Sequence, residues 1–292
     1  MIQKDQFVDF IYIGAPRAGS TWLAAALSEH PQIWIPHNKE IHFFNKRSLY
    51  SSCYTYPRGI SFYREYFKGA PPDTLLGDIS PLYYFDPDTA PRIAAAFPHV
   101  KILAILRNPV NVVFSEYLKR KTLELREPTF EQEIKKNPHI LDLGYYFRLL
   151  KPYFENFPGD NICIKVYESF FENQEKSIQS IYGFLGVDDN FMPAIVGKRI
   201  NAAKNPGPPV KTALNGLALS LLNTPALFPI KHILHKLKIN RINYSAYDNQ
   251  QKPVLEKLSC ETRKNLMEKY EPEISQLENF LNVDLKIWRE KQ

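Results

Sequence analysis

An apolar run, Phe10-Ile11-Tyr12-Ile13, breaks into the small-residue turn Gly14-Ala15-Pro16-Arg17-Ala18-Gly19-Ser20-Thr21, and a helical pattern continues through Trp22-Leu23. This order predicts a buried strand, a tight loop and a helix N-terminus in direct succession. Successive backbone N–H groups and the positive end of the helix dipole make such a loop a ready anion site. The loop itself carries one cation, Arg17, and two hydroxyls, Ser20 and Thr21. An ordinary strand-to-helix turn has the same outline, so the stretch gains meaning only from what accompanies it.

The spacing Gly14-x-x-x-x-Gly19 is half of a nucleotide-triphosphate P-loop. The other half requires Lys directly after the second glycine, then Ser or Thr for magnesium. Here Ser20 and Thr21 follow Gly19, and the cation sits inside the loop as Arg17. A magnesium-dependent triphosphate site is therefore disfavoured, while an anion site is retained.

The net charge of +6 favours anionic ligands, although the excess is spread along the 292 residues and also describes a solvated basic surface. Cys53, Cys163 and Cys260 are far apart, odd in number and in no metal-ligand spacing. They suggest a reducing compartment with thiols acting as small core residues, and no metal site is expected. The first residues lack the basic-then-apolar pattern of a signal peptide, and no apolar stretch approaches the roughly 20 residues of a membrane span. The expectation is a soluble, cytoplasmic protein.

Short apolar runs at Phe7 to Ile13, Thr74 to Leu76, Val100 to Leu106 and Asn161 to Val166 predict strands. Helical patterns at Ser20 to Ser28, Pro87 to Phe97, Pro109 to Lys121 and Glu175 to Leu185 fall between or after them. This alternation predicts an α/β three-layer sandwich with a central, mainly parallel sheet covered on both faces. Ligands of such sheets collect beyond the carboxyl ends of the strands. The loops Gly14 to Thr21 and Arg107-Asn108-Pro109 both lie past strand ends, and so should open on one edge.

The whole chain, 1–292, is expected to form one domain, with a variable and helical region at about 198–253 that could bear on the acceptor. That region opens with the basic, Pro-rich stretch Lys198 to Pro209 and predicts helices around Lys211 to Leu222 and Ile230 to Leu237. Lys257 to Trp288 predicts one amphipathic helix and a closing turn.

Three further segments stand out. They are Pro36-His37-Asn38-Lys39-Glu40-Ile41-His42-Phe43-Phe44-Asn45, Gly77-Asp78-Ile79-Ser80-Pro81-Leu82-Tyr83-Tyr84, and Ile105-Leu106-Arg107-Asn108-Pro109 continued by Phe114-Ser115-Glu116-Tyr117. With them the chain resembles the sulfotransferases that use 3′-phosphoadenosine 5′-phosphosulfate, nearest the branch of the heparan-sulfate sulfotransferases and related bacterial enzymes. Gly14 to Trp22 resembles the family's P-loop-like 5′-phosphosulfate loop, and Lys39 to Phe44 the segment with the catalytic glutamate. Leu106-Arg107-Asn108-Pro109 with Ser115 resembles the 3′-phosphate motif, and Leu266 to Trp288 the closing helix and tryptophan.

The resemblance implies a nucleotide sulfate donor bound by Pro16, Arg17, Ala18, Gly19, Ser20, Thr21, Trp22, Arg107 and Ser115. A basic lid would add Lys198, Arg199 and Lys204. It implies adenosine 3′,5′-bisphosphate as product, no metal, and a hydroxyl-bearing glycan, lipid or small molecule as acceptor, with an amine as the second choice. Nucleic acid is not an expected partner. Glu40 would take the acceptor proton, Arg17 would hold the departing charge, and His42 would share the proton work, orient the acceptor or sit in the core.

The physics of these residues is compatible. Two separated anion sites suit a donor charged at both ends, and the Arg107 fork matches phosphate oxygens bidentately. Ser115, roughly two turns into a helix starting at Pro109, can add a hydroxyl. Phe43 and Phe44 would bring apolar walls to Glu40, and such burial raises a carboxylate toward the range of a general base.

Two departures are visible. The family usually places Lys where Arg17 stands, and the glycosaminoglycan enzymes often carry Lys at the position of Ile79. The leading expectation is sulfuryl transfer to a hydroxyl of a carbohydrate or small molecule. A P-loop kinase-like phosphotransferase and a non-catalytic nucleotide- or polyanion-binding module are the alternatives.

Overall fold

The computed structural model describes residues 7–36, 40–46, 54–122, 129–198 and 256–290. Five strands form one parallel sheet: β1 (Phe10–Gly14), β2 (Ile33–Trp34), β3 (Leu75–Ile79), β4 (Lys101–Leu106) and β5 (Ile162–Val166). Their order across the sheet is β2-β3-β1-β4-β5, which puts β1 at the centre. Phe10 pairs with Gly77 on one side and Lys101 on the other, and Leu103 pairs with Cys163.

β1 is buried throughout, and β4 is buried from Ile102 to Leu106. Strands buried on both faces read as continuous apolar runs, as these two do, and require helical layers above and below. Those layers come from α1 (Ser20–Glu29), α2 (Ile60–Arg64), α3 (Thr89–Ala96), α4 (Pro109–Thr122), α5 (Phe130–Lys136), α6 (Tyr146–Asn156), α7 (Tyr167–Glu172) and α8 (Gln174–Leu185). The C-terminal helices α9 (Cys260–Leu281) and α10 (Lys286–Arg289) complete them. α6 packs against α3 and α9, and α9 also packs against α4.

Several boundaries differ from the sequence expectation for identifiable reasons. β3 runs on through Gly77 and Asp78, where the glycine suggested an end, because Phe10 and Ile11 of the central strand β1 pair with them and pairing overrides weak strand propensity. α3 starts at Thr89 rather than Pro87, since the Asp86 carboxylate accepts from the Asp88 N–H and holds a turn there. β2 is only two residues long, too short for any period to show. α6 carries Pro152 in its interior, which reads as a breaker in sequence. The C-terminal stretch divides into two helices at Asn282, left-handed at φ 52°. The expected helices around Lys211 to Leu222 and Ile230 to Leu237 lie outside the described residues.

Candidate active site

The carboxyl ends of the strands converge on one cavity of about 500 Å³. After β1 come Pro16, Arg17, Gly19, Ser20, Thr21 and Trp22; after β3, Pro81 and Leu82; after β4, Arg107, Ser115 and Lys119; after β5, Tyr167 and Phe171. Glu40, Gln174 and Lys198 close the rim. The two loops expected on one edge of the sheet are both here.

The first loop is held in shape from beneath. Ala15 N–H donates to the Ile105 carbonyl of β4 at 2.8 Å, and the Tyr12 hydroxyl donates to the Ala15 carbonyl. Gly14 allows the close pass, since a Cβ there would lie 2.5 Å from the Tyr84 ring. Gly19 opens α1 at φ 83°, a left-handed conformation that costs glycine little. No side chain caps α1, and Ser20 and Thr21 of its first turn line the cavity. Ala18 is fully buried and is not among the lining residues, so its part in the loop is steric.

The 107–109 motif grips this loop. Arg107 donates from Nη1 to the Arg17 carbonyl at 3.0 Å, and Arg17 donates from Nε to Ser115 Oγ at 3.1 Å. Asn108 caps α4, its Oδ1 accepting from the N–H groups of Val110 and Asn111. Behind it, Asn108 Nδ2 donates to the Trp288 carbonyl, while Glu168 accepts from Asn108 N–H and from Trp288 Nε1. The C-terminal tryptophan thus locks the second loop from the rear.

Trp22 meets Phe170 and Phe171 edge-on, at 5.6 and 5.4 Å, and Tyr167 lies 4.5 Å from Phe171. The Arg107 guanidinium sits 4.6 Å over the Tyr167 ring. These rings offer flat apolar faces for a base or sugar. Arg107 Nε and Trp22 Nε1 are buried and have no hydrogen-bond partner among the described residues.

Glu40 reaches the cavity from a loop with unusual backbone. Arg17, Glu40 and His42 have positive φ, at 61°, 66° and 52°. Left-handed conformations at non-glycine residues cost energy and cluster at functional sites. His42 Nε2 lies 3.8 Å from Glu40 Oε2, and His42 Nδ1 is buried without a partner among the described residues. The apolar walls expected around Glu40 take another form. Phe43 and Phe44 turn into the core against Tyr63, and Glu40 keeps 39% of its side chain exposed.

Sequence reasoning missed Tyr167, Phe171, Gln174 and Lys119. Tyr167 directly follows a parallel strand, and Lys119 stands one helical turn after Ser115; either signal could have found them. Glu116, also on α4, is fully buried. Burial pushes its carboxyl up to about 7; Lys119, Arg17 and Arg120 oppose the rise, and Glu40 adds to it. Arg199 and Lys204 lie outside the described residues. Among the described residues no helix is long and apolar enough to cross a membrane.

The sulfotransferase domain family matches residues 8–202, more than half of the chain and every cavity-lining residue named above. The chain belongs to the sulfotransferase family. Its relatives include the membrane-associated sulfotransferase kil1 of Dictyostelium discoideum, 32% identical over 143 residues, covering 46% of this chain and 29% of that protein. Mouse heparan sulfate glucosamine 3-O-sulfotransferase 3B1 is 24% identical over 195 residues, covering 62% of this chain and 47% of the other. The chain thus spans less than half the length of these two relatives. A crystal structure of a sulfotransferase from Alicyclobacillus acidocaldarius shares the fold, with a TM-score of 0.68 at 23% identity over 97% of this chain and 99% of that one.

Proposed function

We propose that the cavity transfers a sulfuryl group from 3′-phosphoadenosine 5′-phosphosulfate to a hydroxyl of a carbohydrate or small-molecule acceptor. The observation that carries this reading is the pairing of Arg17 with Ser115 and of Arg107 with the Arg17 backbone, in one cavity that Glu40 also lines. The phosphosulfate would lie on the Pro16–Thr21 loop, the 3′-phosphate against Arg107 and Ser115, and the base among Trp22, Tyr167 and Phe171.

In this reading Glu40 accepts the acceptor proton as the acceptor oxygen attacks sulfur. The bond between sulfur and the bridging oxygen breaks, and adenosine 3′,5′-bisphosphate leaves with the negative charge. Arg17 and the loop N–H groups stabilise that charge, and preorganised donors of this kind are worth on the order of 3 kcal/mol each. Arg17 is planar and always protonated, so it holds charge and donates no proton. His42 Nε2, 3.8 Å from Glu40 Oε2, stands where it would share the proton work or orient the acceptor. Ile79, where glycosaminoglycan enzymes often carry Lys, is buried and brings no charge to the acceptor.

Calorimetry with adenosine 3′,5′-bisphosphate against adenosine 5′-monophosphate tests the donor. A preference of roughly 10-fold or more is expected from a charge-assisted contact of about 1.5–3 kcal/mol. Equal affinities would sink the assignment. Incubation with labelled donor and an acceptor panel, read by mass, then identifies the sulfated product.

A further inference from the structure

Behind the Glu40 loop, outside the cavity, lies a fully buried carboxylate, Asp78. Ser80 Oγ donates to its Oδ1 at 2.7 Å, and the Tyr63 and Tyr83 hydroxyls donate to its Oδ2, each at 2.8 Å. Tyr63, Ser80 and Tyr83 are themselves fully buried. Two of these hydroxyls then accept from the Glu40 loop: Ser80 Oγ from His42 N–H at 3.1 Å, and the Tyr83 hydroxyl from Phe43 N–H at 3.0 Å. Glu40 N–H completes the attachment by donating to the Ile79 carbonyl at 2.9 Å.

The direction of these bonds is what matters. A hydroxyl has one proton to give. An ionised carboxylate only accepts, so it claims the protons of Ser80 and Tyr83 and leaves their lone pairs facing the loop. Three donors converging on one carboxyl group are the arrangement an ionised Asp78 requires. Burial holds its pKa above the ordinary carboxylate value, and the bonds from Ser80, Tyr63 and Tyr83, with the nearby His42, lessen the rise.

We propose that Asp78 is a positioning residue for sulfuryl transfer: by fixing the proton direction of Ser80 and Tyr83, it holds Glu40 and His42 in their left-handed conformations at the cavity. The inference rests on the reading of Glu40 as the base. Asp78 itself touches neither donor nor acceptor. Its effect is geometric, since a catalytic group displaced by about 1 Å can lose on the order of 100-fold in rate.

Asp78→Asn keeps the shape but replaces one acceptor oxygen by an N–H₂ donor, so Ser80, or Tyr63 and Tyr83 together, lose their acceptor. A Ser80 or Tyr83 hydroxyl that must turn its proton elsewhere weakens its hold on the loop N–H. Amide hydrogen exchange, turnover on the acceptor found by the panel, and affinity for adenosine 3′,5′-bisphosphate are measured together. Expected are faster exchange at His42 and Phe43 with β4 amides unchanged, a turnover loss of roughly 10- to 100-fold, and nucleotide affinity held within about two-fold. If Asp78→Asn does not fold, Ser80→Ala and Tyr83→Phe carry the same test, freeing the amides of His42 and Phe43 respectively. Unchanged exchange at both amides overturns the inference, as does a loosened loop with full turnover. In the second case Glu40→Gln locates the fault: an inactive variant condemns Asp78, and a fully active one condemns the reading of Glu40.

Discussion

The two loops that meet across the cavity are built in opposite ways. The Pro16–Thr21 loop is the direct continuation of the central strand into α1, and its shape follows from neighbours in sequence: Gly14 and Gly19 at its ends and the helix N-terminus. The Glu40 loop owes little to its own sequence. It hangs from side chains some 40 residues away, on Ser80 and Tyr83, which in turn hang from Asp78. The first is a backbone device suited to binding an anion. The second is a side-chain device suited to placing one carboxylate. Binding and chemistry should therefore separate when the two are disturbed.

The largest expected effect lies in the second loop. Glu40→Gln preserves shape and removes the proton acceptor, so turnover should fall by roughly 100-fold or more while adenosine 3′,5′-bisphosphate binds as before. Steady-state kinetics beside calorimetry on the same preparation checks this. Near-normal turnover would make Glu40 structural and erase the contrast between the loops.

Next comes the first loop. Arg107→Ala removes the guanidinium that supports the Arg17 carbonyl and belongs to the cavity lining. Calorimetry should record a loss of nucleotide affinity of about 10- to 100-fold, from roughly 1.5–3 kcal/mol for a bond to a charged group. A variant that binds normally and turns over slowly would place Arg107 on the chemical side and blur the division.

The same contrast explains what the sequence disclosed. The first loop was legible because its determinants are contiguous, and Arg107 with Ser115 because a strand end and a helical repeat fix their separation. Lys39 to Phe44 was legible only through resemblance to a family, since nothing local to Glu40 shows how it is held. The roles of Asp78, Ser80 and Tyr83 depend on pairings across the fold, and hydroxyl proton direction leaves no period in a sequence. The aromatic wall of Tyr167 and Phe171 belongs to the short helix α7, too brief for amphipathic patterning to mark its cavity face.

The smallest expected effect concerns Glu116 of α4, close enough to Arg17 and Glu40 for both to act on its charge. Burial pushes its carboxyl up to about 7 from an ordinary value of 4.5. A raised acid contributes stability that is fully present below about 4.5 and lost as pH climbs to about 7. Glu116→Gln should therefore flatten the decline in Tm across that window. The same proton bears on binding. Once ionised, Glu116 sets a negative charge beside the Arg17 that serves the anion loop, so affinity for adenosine 3′,5′-bisphosphate should weaken by a few-fold in the wild type as pH rises through about 7. Titration of the nucleotide's own phosphates affects wild type and Glu116→Gln alike, so the ratio of their affinities isolates the carboxyl. A ratio that grows with pH in favour of Glu116→Gln places this group in the field of the first loop. A ratio independent of pH would show that Arg17 is shielded from it, and that the two loops are electrostatically separate as well as separately built.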